Sequence, residues 1–131
     1  MANPASLTIN DLTANSVISQ PTAQAIDTSG TVPINSVKRP HLIIIEVVNT
    51  DDAALTVLVK AGDNPPAQRQ GLGDLSVALA ATGGGATAAR IIGPFEAARF
   101  MQDDGRIDVT FTPATGAPAA SVRVYRLPHQ V

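Results

Sequence analysis

The chain has 131 residues, 44% of them apolar, which predicts one globular domain and argues against wholesale disorder. Its net charge is -2 and its basic residues form no cluster, so nucleic acid is not the expected ligand. Cysteine is absent, which excludes disulfides and thiolate metal sites and fits synthesis in a reducing cytosol. The longest strongly apolar run, Leu42–Ile45, is too short for a membrane helix.

Residues 1–39 differ in composition from the rest of the chain. They are rich in Ser, Thr, Asn and Ala, lack the pattern of a secretory signal, and contain prolines that forbid a long helix. We therefore predict an extended N-terminal arm with one or two short strands. It is either a flexible terminus or first hairpin, or an arm that orders against a neighbouring subunit. The apolar residues available for docking are Leu7, Ile9, Leu12, Val17, Ile18, Ile26 and Ile34.

Residues 40–131 have the pattern of a β domain that begins with two adjacent strands. Residues 41–48 read HLIIIEVV, a β-branched run typical of a central strand. Residues 55–60 alternate in polarity, and the residues 49–52 between the two runs are Asn, Thr, Asp and Asp, which favour turns. We predict that the two runs pair as a β-hairpin.

The middle of this domain alternates between loops and strands. Residues 61–74 contain Pro65, Pro66 and three glycines, which predicts a long loop of the kind that often carries function. Residues 75–80 alternate as a strand, residues 81–86 are predicted to form a flexible, Gly-rich hairpin tip, and residues 90–92 form a strand that ends at a turn.

The last third of the chain holds the clearest strand pattern. Residues 96–101 fit either a short strand or a helical turn, and the Asp-Gly within residues 102–105 favours a hairpin turn. Residues 106–112 and 121–127 alternate in polarity, separated by a Pro/Gly/Ala loop. Seven or eight short strands in all predict a single all-β domain, a β-sandwich, jelly-roll-like fold or barrel.

Residue types that perform catalysis are present, but not in catalytic arrangements. His41 and His129 are far apart in the sequence, and the Asp51-Asp52 and Asp103-Asp104 pairs occupy predicted turns. The glycines at 71 and 73 do not match a phosphate-binding loop. We therefore expect no enzymatic activity, catalytic residue, metal, cofactor or small-molecule substrate.

Three segments carry a resemblance to a known class of proteins. AGDNPPAQRQGLGDL (61–75), IGPFEAARFMQDDGRIDVTF (92–111) and VYRLP (124–128) resemble small virion proteins of tailed bacteriophages, most closely capsid decoration, or cement, proteins. The resemblance implies a small β-rich module on the outside of an icosahedral shell, commonly a trimer, that holds neighbouring major capsid subunits together. It also implies an extended terminal arm and no cofactor.

The sequence therefore predicts a virion protein of the capsid surface, made in the host cytoplasm, whose partner is the major capsid protein and whose copies form a homotrimer. The expected interface lies on the arm and the long loop, with Leu7, Ile9, Val17, Ile18, Arg69 and Leu72. One alternative is a tail, connector or baseplate component, or a fibre domain. Another is a carbohydrate-binding β module, although Tyr125 is a poor aromatic platform for sugar.

Overall fold

A computed structural model describes residues 3–62, 73–84 and 88–128. This part of the chain is built almost entirely of β-strands, which confirms the all-β prediction. The strands are β1 (Ile9–Asp11), β2 (Gln24–Ile26), β3 (Gly30–Ile34), β4 (Ile43–Asn49), β5 (Leu55–Val59), β6 (Leu75–Leu79), β7 (Ala89–Ile92), β8 (Ile107–Pro113) and β9 (Ala120–Arg126). A 3-10 turn (Pro40–Leu42) and a one-turn helix, α1 (Ala97–Phe100), complete these elements.

The first sheet is organised around β4 and β9, which pair antiparallel along their full lengths. β7 lies on the other side of β4. Two short strands share the remaining edge of β9: β1 runs parallel to it opposite residues 124–126, and β2 runs antiparallel opposite residues 120–122. The strand order is therefore β1 and β2 together, then β9, β4 and β7.

The second sheet has four strands in the order β3-β8-β5-β6, all antiparallel. β3 and β6 form its edges. Each strand of both sheets contains only three to seven residues, as the regular spacing of turn signals predicts.

One hydrophobic core joins the two sheets. Along β4, β5, β8 and β9 every second side chain is buried, which is the two-residue period of a strand with one face in the core. The core is aliphatic apart from three phenylalanines, as the low aromatic content predicts. Its fully buried members include Ile26, Ile34, Ile43, Ile45, Val47, Val57, Val59, Ile107, Val109 and Val124.

The predicted hairpin between residues 41–48 and 55–60 is wrong. Both segments form strands, but β4 belongs to the first sheet and β5 to the second. The connection between them crosses from one sheet to the other and is held by Asn49, which is 2% exposed. Its Nδ2 donates hydrogen bonds to the carbonyl oxygens of Ala53 and Ala80, each at 2.9 Å. The side-chain amide of Asn49 therefore stabilises the connection between the sheets instead of a hairpin turn. The predicted hairpin with its tip at residues 81–86 is also wrong, because β6 belongs to the second sheet and β7 to the first.

The structure does not confirm an extended N-terminal arm. Residues 9–34 supply three of the described strands, and Leu7, Ile26 and Val37 are buried in the shared core. The Leu7 amide donates to the Pro33 carbonyl oxygen at 2.8 Å, which ties the start of the described chain to the edge of β3. The exposed and irregular part of this region is the stretch between β1 and β2.

Two local predictions are settled in part. Residues 96–101, which fitted a strand or a helical turn, contain the one-turn helix α1. The tight turn at residues 102–105 is present, closed by a hydrogen bond of 2.9 Å from the Gly105 amide to the Gln102 carbonyl, and Gly105 has a φ of 83°. It connects α1 to β8, so it does not join two strands. Within the described residues, no helix is long and apolar enough to cross a membrane.

Candidate interaction surface

The outer faces of the two sheets differ in chemistry. The outer face of the second sheet carries Thr31, Thr56, Thr110 and Thr112 together with one half-buried aliphatic residue, Leu58, and the hydroxyls of Thr31 and Thr110 are 2.7 Å apart. Apart from Leu58, this is the polar pattern of a solvated sheet face. The first sheet places more large apolar side chains outward, namely Ile44, Ile91 and Tyr125, so its outer face is the better candidate for binding another molecule.

Strand register determines which side chains share the outer face of the first sheet. Directly paired residues point to the same side, so Tyr125 lies beside Ile44, and Arg123 lies beside Glu46. Ile91 of β7 lies on the other side of Glu46. The Ile91 side chain is 72% exposed, which is unusual for a large aliphatic residue on a β-strand.

The stretch between β1 and β2, residues 12–23, lies against part of this face; we call it the crossing segment. Arg123 anchors it, because its Nε donates to the carbonyl oxygen of Pro21 at 2.9 Å. The Nη1 atom of the same side chain lies 3.0 Å from Oε1 of Glu46, in an ion pair whose two side chains are 19% and 28% exposed. One arginine thus connects β9, β4 and the crossing segment.

An apolar hollow opens between the crossing segment and the sheet. Its volume is about 370 Å³, and it is lined by Leu12, Ile18, Gln20, Pro21, Ile44 and Tyr125. Ile18 is 41% exposed, and its neighbour Val17 is 89% exposed. The crossing segment therefore presents aliphatic side chains to solvent beside a hollow whose walls are mostly apolar, an arrangement suited to receiving an apolar side chain of a partner.

A second hollow, also lined by Leu12, adds charge to this surface. Its volume is about 360 Å³, and its walls are Asp11, Leu12, Lys38, Arg39, Leu42, Arg126, Leu127 and Pro128. We call it the charged hollow. The side chains of Lys38 and Arg39 form no ion pair with any residue that the structure describes. They leave the hollow with an excess of positive charge, which attracts carboxylates.

The acidic residue of the charged hollow is already paired. Arg126 donates to both carboxylate oxygens of Asp11, with Nε 2.5 Å from Oδ1 and Nη2 3.1 Å from Oδ2. These hydrogen bonds lower the pKa of Asp11 below its usual value and raise the pKa of Arg126. Because each charge of this pair is satisfied by the other, Lys38 and Arg39 are the groups able to attract a partner.

Residue types that could hold a metal are not gathered into a site within the described residues, which contain no group of three or more His, Cys, Asp and Glu side chains. Asp51 has the local role expected of a turn residue. Its backbone amide donates to Oδ1 of Asn49 at 3.1 Å, and its own Oδ1 accepts from the Asp52 amide at 2.9 Å. His129 lies outside the described residues.

The six predicted interface residues are distributed over three kinds of position. Val17 and Ile18 lie exposed on the crossing segment. Leu7 is 2% exposed and belongs to the core, and Ile9 packs against that core from β1. Arg69 and Leu72 lie outside the described residues, so their prediction stays open.

The sequence did not assign several residues of this surface to the interface, namely Lys38, Arg39, Ile44, Ile91 and Tyr125, and Tyr125 was considered only as a poor platform for sugar. The pair Lys38-Arg39 was visible as a basic dipeptide, but its position beside Arg126 is a consequence of tertiary structure. The exposure of Ile91 had no sequence signal, because an isoleucine next to another isoleucine on a strand gives no indication of which one faces the core.

Comparison with known proteins finds no family model, no curated protein and no solved structure that matches this chain.

Proposed function

We propose that this protein is a β-sandwich that binds the outside of a bacteriophage capsid and stabilises the contacts between major capsid subunits. The observation that carries the proposal is the combined surface on the first sheet. Exposed aliphatic side chains of the crossing segment and β7 lie on the same side as the apolar hollow, and the charged hollow adjoins it. The resemblance to virion proteins supplies the identity of the partner.

The chemistry of the surface defines what the partner must offer. Val17 and Ile91 require apolar side chains opposite them, and Lys38 and Arg39 favour acidic groups at the margin of the contact. A patch of this kind is small, so each contact is weak. A capsid repeats the same contact over its entire shell, and copies that associate with one another gain avidity without stronger individual contacts. We propose the homotrimer of the resemblance as that association.

The position on the outer shell follows from the same proposal. The chain carries a net charge of -2 and no clustered basic stretch, so it has little attraction for the packaged genome. In this proposal the major capsid protein is the partner, the protein assembles onto the virion after synthesis in the bacterial cytoplasm, and its contribution is mechanical.

The test of position is the copy number and location of the chain in intact particles, measured by cryo-electron microscopy. The proposal expects hundreds of copies on the outer shell between major capsid subunits. A few copies at the tail or portal would contradict it and support the alternative of a tail, connector or baseplate component. Absence of the chain from the particle would contradict both.

The test of the surface is a binding measurement with particles that lack the protein. We expect the double variant Val17→Ser with Ile91→Ser to bind at least about tenfold more weakly, because two exposed aliphatic side chains leave the contact. The matched control is Thr112→Ala, which changes an exposed strand residue on the outer face of the other sheet and should bind normally. Equal loss in both variants, or loss in neither, would contradict the assignment of the first sheet.

A further inference from the structure

Within the described residues, the edge strand β6 lacks the charge, proline and shortness that normally protect a strand edge from pairing. It reads Leu-Ser-Val-Ala-Leu, without charge or proline. Its inward-facing Leu75 and Val77 are only partly buried, and among the described residues no strand lies beyond it. Exposed apolar edges of this kind are sites where another strand adds.

The other sheet edges that the structure describes are protected. β3 carries Pro33, whose carbonyl oxygen already accepts the Leu7 amide. β7 has an exposed Arg90 and ends two residues before Pro94. β1 and β2 contain three residues each. Charge, proline and shortness are the usual means of protecting an edge, and β6 lacks all three.

The direction of the free backbone groups of β6 follows from the neighbouring strands. The Lys60 amide donates to the Asp108 carbonyl oxygen at 2.9 Å, so the backbone groups of Lys60 point toward β8. The backbone N–H and C=O groups of successive residues in a strand point to opposite edges. The backbone groups of Val57 and Val59 therefore point toward β6, where they pair with Val77 and Leu75.

The backbone N–H and C=O groups of Ser76 and Ala78 therefore point away from the sheet. These two residues are exposed, and their side chains are small. They present two donors and two acceptors along the open edge, and each of the two residues can form a hydrogen-bonded pair with a residue of an antiparallel partner strand.

We propose that two copies of this chain pair through β6, antiparallel, about a two-fold axis at Val77. The strand is nearly palindromic in size and polarity. In this register Ser76 of each copy lies opposite Ala78 of the other copy. All four free backbone groups of each strand therefore form hydrogen bonds. Leu75 lies opposite Leu79 and Val77 opposite itself, which extends the apolar inner face across the pair.

The charges beside β6 are compatible with this register. Asp74, the residue before β6, lies opposite Ala80 of the second copy. Its carboxylate is already satisfied by Lys60 Nζ at 2.7 Å and by the Ala61 amide at 2.7 Å. No like charges face each other across the described part of the contact. The inference rests on this edge alone and does not depend on binding to a capsid, but it competes with the homotrimer proposed above.

A two-fold pair is a different assembly from the trimer that the resemblance implies. Three copies around a three-fold axis cannot place the same strand antiparallel to itself, because that contact is closed by two copies. The contact is also small compared with a standard protein interface, so we expect a weak dimer in concentration-dependent exchange with the monomer.

Cysteine cross-linking of the full-length protein tests the register directly, because the natural chain has no cysteine. In the proposed pair the two Val77 Cα atoms are about 4.5 Å apart, the separation of a non-hydrogen-bonded pair, and a disulfide can close. The matched control is Ser76→Cys, whose two copies lie diagonally at about 7–8 Å, beyond the reach of a disulfide. We expect Val77→Cys to form dimers at least about tenfold faster than Ser76→Cys.

Sedimentation equilibrium gives an independent readout without cysteine. We expect the natural chain to show a monomer–dimer equilibrium. Ala78→Pro, which removes an outward amide at an edge position that tolerates proline, should sediment as a monomer. Ala78→Val keeps the amide and should dimerise like the natural chain. Circular dichroism confirms that each variant is folded.

The two measurements decide the inference. Faster cross-linking of Val77→Cys together with a dimer that Ala78→Pro abolishes supports it. A natural chain that is monomeric at every concentration, a trimer, or equal cross-linking rates for Val77→Cys and Ser76→Cys would overturn it.

Discussion

Replacement of Leu7 by alanine separates a core residue from an interface residue within the N-terminal region. Leu7 is 2% exposed and belongs to the core cluster, whereas Val17, ten positions later, is 89% exposed. Deleting a buried leucine side chain to alanine costs about 2–5 kcal/mol, because transfer free energy is lost and a cavity is left. We expect about 3 kcal/mol for Leu7→Ala, since Leu7 lies in an irregular stretch before β1, where its surroundings can partly relax.

The matched control is Val17→Ala, which removes an aliphatic side chain from a solvent-exposed position. It should change the free energy of unfolding by no more than about 0.5 kcal/mol. Urea denaturation followed by far-ultraviolet circular dichroism measures both variants. The free energy of unfolding should fall with urea concentration at about 1.5–2 kcal/mol/M. Leu7→Ala should therefore lower the urea concentration at the midpoint of unfolding by about 1.5–2 M and leave this slope unchanged.

The result that would refute this reasoning is an equal, small effect of the two substitutions. It would mean that Leu7 contributes no more to stability than an exposed residue, and that the start of the described chain is a detachable arm. In that case Leu7 would return to the set of residues available for contact with the capsid.

Three further predictions follow from the same structure. Asn49→Ala should destabilise the protein by about 2–4 kcal/mol in urea denaturation, because three hydrogen bonds of a buried side chain are lost, whereas Asn10→Ala should cost about 1 kcal/mol or less. The ion pair of Asp11 with Arg126 should stabilise the fold by about 1 kcal/mol or less, since Asp11 is 63% exposed. Because the pKa of Asp11 is lowered on folding, its contribution is complete above the unfolded pKa of about 3.9 and disappears as the pH falls through the folded value. The stability difference between the natural chain and Asp11→Asn should therefore shrink as the pH falls below about 3.9, and a difference that grows in acid would contradict the assignment. Deletion of residues 1–30 should abolish cooperative thermal unfolding, because it removes two strands and two core residues, and a sharp calorimetric transition in the deleted chain would show that these are dispensable.

The strands that sequence predicted well are those with a strong local signal. Residues 106–112 were predicted, and β8 spans Ile107–Pro113; residues 55–60 were predicted, and β5 spans Leu55–Val59. Alternating polarity is a property of the strand itself, since it needs only one face toward a core. Such a pattern identifies a strand but does not indicate which other strand pairs with it.

The local pattern of polarity did not predict which strands pair with one another. The predicted hairpin of residues 41–48 with 55–60 satisfied the same alternation as the observed arrangement, in which the two strands belong to different sheets. The short strands β1 and β2 had a weak signal of their own, because three residues cannot show a period. They exist as strands because β9 offers them an open edge.

The candidate site divides in the same way. The exposure of Val17 and Ile18 followed from their position in a polar, proline-containing stretch, and the sequence reasoning selected both. The apolar hollow combines the crossing segment with Ile44 and Tyr125, residues that are distant in the chain and become neighbours through the register of β4 with β9.

The sequence by itself determined the all-β class, the aliphatic character of the core and the bounds of the longer strands, because composition and alternation act within a few neighbouring residues. Only the tertiary structure decided that β4 and β5 lie in different sheets, that Leu7 is buried while Val17 is exposed, and that Lys38 and Arg39 lie beside Arg126. Those facts depend on which distant segments pair and pack. Which segments pair depends on the free energy of the whole core, and no short stretch of residues determines that free energy by itself.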